Sequence, residues 1–96
     1  MKNYNFSDLN FIPRSLGGVA ARLTFDNGYT ASVVQGPGTY GGAEGLYELA
    51  VIHNGEIVYD TPITSDVVGW LTEGDVTEKL NEVACLPKRG TTAILS

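Results

Sequence analysis

The chain has 96 residues, 43% hydrophobic and 18% charged, with a net charge of −5. That length suits one folded domain over residues 1–96, burying roughly 60–65% of the unfolded surface, and the composition excludes a disordered chain. No apolar run nears the ~20 residues of a membrane helix, the opening MKNYNFSDLNF lacks an apolar signal-peptide core, and the net acidity argues against direct binding of DNA or RNA.

Residues 1–18 read as an N-terminal arm with one short turn, interrupted by Pro13 and ended by Gly17-Gly18. From Val19 the period becomes two. Val19, Ala21, Leu23 and Phe25 face one way and Ala20, Arg22 and Thr24 the other, which predicts a half-buried strand. Asp26-Asn27-Gly28 supplies a tight turn. Tyr29 to Gln35 returns, with Tyr29, Ala31 and Val33 inward and Thr30 and Ser32 solvated.

After a glycine-rich loop, Leu46 to His53 is apolar on both faces apart from Glu48, which predicts an interior strand. Asn54-Gly55 is a strong hairpin signal, and Glu56 to Asp60 completes a four-stranded antiparallel meander over residues 19–60. Thr61-Pro62 closes the sheet region, because proline cannot donate to a ladder.

A helical region over 65–86 follows. Ser65 or Asp66 is expected to cap a short helix through Val67, Val68, Trp70 and Leu71, with Trp70 in the core. Thr72-x-x-Asp75 resembles a capping box. Beyond it, Val76, Leu80, Val83 and Ala84 share one helical face up to about Leu86, and Pro87 stops the helix. Residues 87–96 form a tail, either frayed or an added edge strand. Strands followed by helices predict an α+β domain, a four-stranded antiparallel meander with one or two C-terminal helices on one face.

The stretch GPGTYGGAEG, Gly36 to Gly45, fits the G-x-G-x-x-G template of dinucleotide sites in its first six residues. That template requires a helix after the glycines, to hold the pyrophosphate at its N-terminus. Here a strand is expected instead, and Pro37 removes one amide donor. The loop reads as a long connection presenting Tyr40 and Glu44, a tyrosine and a carboxylate suited to protein contact.

Catalytic signals are weak. His53 is the single histidine and lies at the lip of a turn; no G-x-S-x-G elbow surrounds a serine. Cys85 is the single cysteine, so no internal disulfide forms, and it reads as a buried helical thiol. One His and one Cys do not build a closed zinc site. A non-enzymatic protein without metal or cofactor is expected.

Charge is the informative signal. Lys2, Arg14 and Arg22 against Asp8 and Asp26 leave residues 1–43 at +1. Glu44, Glu48, Glu56, Asp60, Asp66, Glu73, Asp75, Glu78 and Glu82 against Lys79 leave residues 44–82 at −8, and Lys88 and Arg89 add +2. Lys79 is expected to pair with Asp75. The nine carboxylates predict an acidic exterior patch that attracts a basic partner. The contacts singled out are Tyr40, Glu44, Asp66, Glu73, Asp75, Glu78 and Glu82.

The segments GPGTYGGAEGLYELAV and GEIVYDTPITSDVVGWLTEGDV resemble small bacteriophage accessory proteins, with a YGG-x-x-GLYE stretch, an NG hairpin and a DTPIT-D-V-GWL stretch. The likeness covers roughly residues 23–86 and carries no catalytic residue. It implies a phage protein that blocks host machinery, such as an anti-CRISPR or other counter-defence inhibitor. The expected partner is a host nuclease or CRISPR effector with a basic surface, met in the cytoplasm of the infected bacterium. The alternatives are a nucleotide-sequestering protein using the glycine loop, and a minor virion structural or assembly protein.

Overall fold

Alternation at period two fixes the first long pair of strands. In the computed structural model, which describes residues 3–15, 17–57 and 67–87, β2 (Val19–Thr24) and β3 (Thr30–Gln35) pair in antiparallel register from Val19↔Gln35 to Thr24↔Thr30. Ala21 and Phe25 from one side, and Tyr29, Ala31 and Val33 from the other, are buried as the spacing predicts. The turn between them closes through Phe25 N–H to Tyr29 O, 2.8 Å, and Gly28 N–H to Phe25 O, 3.0 Å.

β4 (Tyr47–His53) pairs with β3 and is central. Leu49 and Val51 are fully buried in the main core, while Ala50 and Ile52 are buried on the opposite face. This accounts for its two-sided apolar sequence. β1 (Ile12–Pro13) adds to β2, so part of the arm joins the sheet. Proline fits there because an edge strand can forgo a donor. On the far side of β4, β5 (Glu56–Ile57) pairs at the His53 end and β6 (Val67–Leu71) at the Tyr47 end, giving an antiparallel sheet of six strands.

β6 corrects the expectation of a first helix over Val67–Leu71. The valines are β-branched and favour extended backbone. Five residues are also too few for a helix to repay its nucleation. The open flank of β4 offers a ladder instead, in register Ala50↔Val67, Leu49↔Val68 and Tyr47↔Leu71. The Ser65/Asp66 cap, the strand residues beyond Ile57, the Pro62 stop and the tail from residue 88 lie outside the described residues.

Helix α1 (Glu73–Ala84) is the one α-helix among the described residues. The capping box is present: Thr72 Oγ1 accepts from Asp75 N–H at 3.1 Å, and Asp75 Oδ2 accepts from Thr72 N–H at 3.0 Å. Val76, Leu80 and Val83 are fully buried against the sheet. The C-terminal end is held by the first hairpin. Asn27 Nδ2 donates to the carbonyls of Val83, Ala84 and Leu86 at 2.8, 3.3 and 2.9 Å, satisfying groups that a helix end leaves open. Cys85, expected as a buried thiol, is the exposed C-cap residue.

The arm docks on the helix. Tyr4 N–H donates to Asn81 Oδ1 at 2.9 Å, Asn81 Nδ2 returns to Tyr4 O at 2.8 Å, and Phe6 N–H donates to Thr77 Oγ1 at 2.8 Å. A short 3-10 turn at Phe6–Asp8 then directs Leu9 into the core. Phe6, Phe11 and Tyr47 form a ring cluster with centroids 5.0 to 5.6 Å apart.

Candidate protein-contact surface

The two ends of the sheet differ. At one end lie the Asn27 turn, His53 and the C-terminus of α1. At the other lie the glycine loop, the start of β4, the end of β6 and the N-terminus of α1, because Tyr47 pairs with Leu71 and the helix begins directly after it.

The glycine loop is not a slack connection. Thr39 Oγ1 accepts from Gly36 N–H at 3.1 Å and donates to Gly36 O at 2.8 Å. A 3-10 turn at Gly42–Glu44 comes next. Tyr40 N–H donates to the Glu48 carboxylate at 2.8 Å, and Tyr40 O accepts from Trp70 N–H at 3.2 Å. The loop is thereby tied to both β4 and β6. Two glycines permit the approach. A Cβ on Gly41 would lie 2.9 Å from Trp70 Cα, and one on Gly69 would collide with Tyr40 Cβ. The loop leads into β4, not into a helix, and a carboxylate already occupies the amide at its tip. The G-x-G-x-x-G match therefore lacks the helix N-terminus that would receive a pyrophosphate.

Trp70 departs from the expected core position. Between the pairs Leu49↔Val68 and Tyr47↔Leu71, Gly69 and Trp70 together oppose Glu48 alone, which is a β-bulge. Trp70 takes the left-handed conformation, φ 59°, uncommon for a bulky residue. Its indole turns outward and is 56% exposed, and Tyr40 beside it is 60% exposed. Two large aromatic side chains thus share one exposed junction of loop and bulge.

The carboxylates singled out by the sequence do not form one patch. Glu44 is exposed at the loop end on the 3-10 turn, and Glu73 is exposed at the helix start. Glu73 reaches Tyr47 electrostatically: burial, and then the Glu73 charge, raise the Tyr47 phenol above its ordinary range, against an opposing hydrogen bond from Gln35. Glu78 and Glu82 continue down the helix, which is about 18 Å long. Glu56 sits at the other end of β4, roughly 20 Å away. Asp75 is occupied by the cap; the Thr72 backbone N–H, then the Thr72 hydroxyl, hold its carboxyl below the ordinary value of 3.8. Lys79 forms its close ion pair with Glu82 at 3.4 Å and acts on Asp75 only through a smaller electrostatic pull that also lowers that carboxyl. Asp66 lies outside the described residues.

The loop end therefore brings together Tyr40, Glu44 and Glu73 from the sequence-derived set and adds Trp70 and Glu48. The signal for Trp70 was Gly69 before it, since a glycine within a strand marks a bulge or close approach. One basic side chain lies at this end among the described residues. Arg14 is tucked at the loop base, where a Cβ on Gly36 would be 2.9 Å from its Nη1, and that nitrogen is buried without a hydrogen-bond partner. Among the described residues, no group of three or more His, Cys, Asp or Glu side chains is placed to hold a metal ion. Comparison with protein-family models, curated proteins and solved structures finds no match for this chain.

Proposed function

We propose that the protein is a non-enzymatic, phage-encoded inhibitor that binds a basic surface of a host protein, in the cytoplasm of the infected bacterium. The class of partner is a nucleic-acid-handling defence component such as a nuclease or CRISPR effector. The observation that carries this reading is uncompensated surface acidity. Glu44, Glu73 and Glu78 are exposed without an ion-pair partner among the described residues, and the one ion pair there, Lys79–Glu82, leaves Glu82 exposed as well. Exposed carboxylates of one sign speed encounter with a basic partner and lose strength as salt screens them. The bound inhibitor would cover the cationic surface that its target presents to nucleic acid.

The test is capture from host cells with the intact chain as bait, at low and at moderate salt, followed by identification of the retained protein. The expected result is a basic nucleic-acid-handling protein. Its retention should fall with salt and with the double substitution Glu78→Lys/Glu82→Lys. Thermal unfolding should stay nearly unchanged, because surface pairs contribute little. Retention indifferent to salt and to both substitutions would remove the electrostatic basis of the proposal.

A further inference from the structure

We infer that the Tyr40–Trp70 face anchors this contact and that its occupant is an arginine-bearing segment of the basic partner. The inference rests on the inhibitor reading and adds the chemistry of recognition.

Four observations converge on it. Tyr40 and Trp70 are among the few large apolar side chains left exposed, and they are neighbours through the Trp70 N–H to Tyr40 O bond. Among the described residues no ring contact joins the two, so their faces are not consumed by each other. Their placement is enforced: the bulge turns Trp70 outward, and Gly41 and Gly69 leave room for the loop to lie against it. The carboxylates at this end of the sheet are Glu48, which accepts from Tyr40 N–H, Glu44 on the 3-10 turn of the loop and Glu73 at the start of α1. Among the described residues, the basic side chain at this end, Arg14, is packed at the loop base against Gly36.

Aromatic faces at an end of the sheet that also carries carboxylates complement a cation. Trp is the best cation–π surface, and Trp and Tyr are the residues that most often anchor interfaces. Guanidinium fits better than ammonium. It is planar, stacks on a ring and still offers its edge donors to a carboxylate in two-point contact, whereas a lysine brings a compact, strongly hydrated charge. The acidic helix residues Glu78 and Glu82 then steer the partner, while Tyr40 and Trp70 hold it.

The test uses the intact chain and fluorescein-labelled hexaarginine and hexalysine peptides at low salt, read by anisotropy. Trp70 is the single tryptophan, so its emission reports contact directly. Hexaarginine is expected to bind at least about fivefold more tightly than hexalysine and to shift Trp70 emission. Tyr40→Ala and Trp70→Gly should each weaken hexaarginine at least about fivefold, and Glu78→Gln less than about twofold. Trp70→Gly suits the positive φ, so unchanged circular dichroism is expected to show that lost binding is not lost folding. Equal binding of the two peptides, indifference to both aromatic substitutions, or dimerisation of the free chain abolished by Trp70→Gly would overturn the inference. If a basic host protein is captured but hexaarginine fails, the anchor falls and the inhibitor reading stands. If hexaarginine binds at Trp70 but no basic host protein is captured, the converse holds.

Discussion

Two connections on β3 use their residues in opposite ways. The turn before it, Asp26–Gly28, is short and faces inward: its Asn27 amide caps three carbonyls at the end of α1. The loop after it, Gly36–Gly45, is long and displays Tyr40 above a bulge that displays Trp70. Both are hydrogen-bonded at their key amides, so the contrast is not between order and slackness. One places polar groups where they hold the fold; the other places apolar groups where water meets them. Buried apolar area stabilises a chain, so exposed aromatics held in place by a left-handed tryptophan add little to folding and suit the contact proposed above.

The contrast can be broken at the short turn first. Asn27→Ala should destabilise the protein by about 1–2 kcal/mol, by removing the donor for helix-end carbonyls. Asn27→Asp should cost at least as much, since a carboxylate faces the negative end of the helix dipole. Denaturant unfolding checks both, with peptide binding at the far end unaffected. A smaller global effect is expected from Gly69→Ala. Its Cβ would collide with Tyr40 Cβ, so the loop must move away from β6. Amide exchange at Trp70 should accelerate while that at Phe25, in the short turn, stays slow. Equal acceleration at both would mean that the two connections are one cooperative unit. The smallest effect concerns pH. The Asp75 carboxyl is held below 3.8 by Thr72, so its contribution is present above the ordinary carboxylate range and is lost as pH falls through the lowered value. Asp75→Asn should therefore flatten the acid side of the stability curve. A wild-type curve superimposable on that of Asp75→Asn would show that the cap does not depend on the charge.

Much of the first hairpin and of the helix was legible in the sequence. Period-two spacing placed Ala21, Phe25, Tyr29, Ala31 and Val33 inward, and Thr72-x-x-Asp75 marked the helix start. The Val76, Leu80, Val83 stripe was equally plain. The β6 side was not. Val67, Val68, Trp70 and Leu71 fit a helical face and a strand alike, and five residues give periodicity too little length to decide. What decided it was the open flank of β4, a tertiary fact. Trp70 was assigned to the core by size and apolarity, and only the bulge, which adds one residue on its strand, reverses that facing. The acidic surface was legible as composition but not as placement. Asp75 and Glu82 are engaged locally, and Glu56 is at the opposite end from Glu44. Tyr40 and Glu44 were legible because a glycine loop that long displays whatever large residues it carries.

The short turn also sets a chemical clock. Asparagine followed by glycine is the sequence most prone to lose its amide by ring closure, when the next backbone nitrogen attacks the side-chain carbonyl. At Asn27 that route is obstructed: Gly28 N–H donates to Phe25 O, Oδ1 accepts from Tyr29 N–H at 3.0 Å, and Nδ2 is held by the helix. Asn54-Gly55 repeats the dipeptide in an exposed turn. On storage, deamidation should accumulate at Asn54 and spare Asn27, and its arrival at Asn27 would mark molecules whose helix end has already opened.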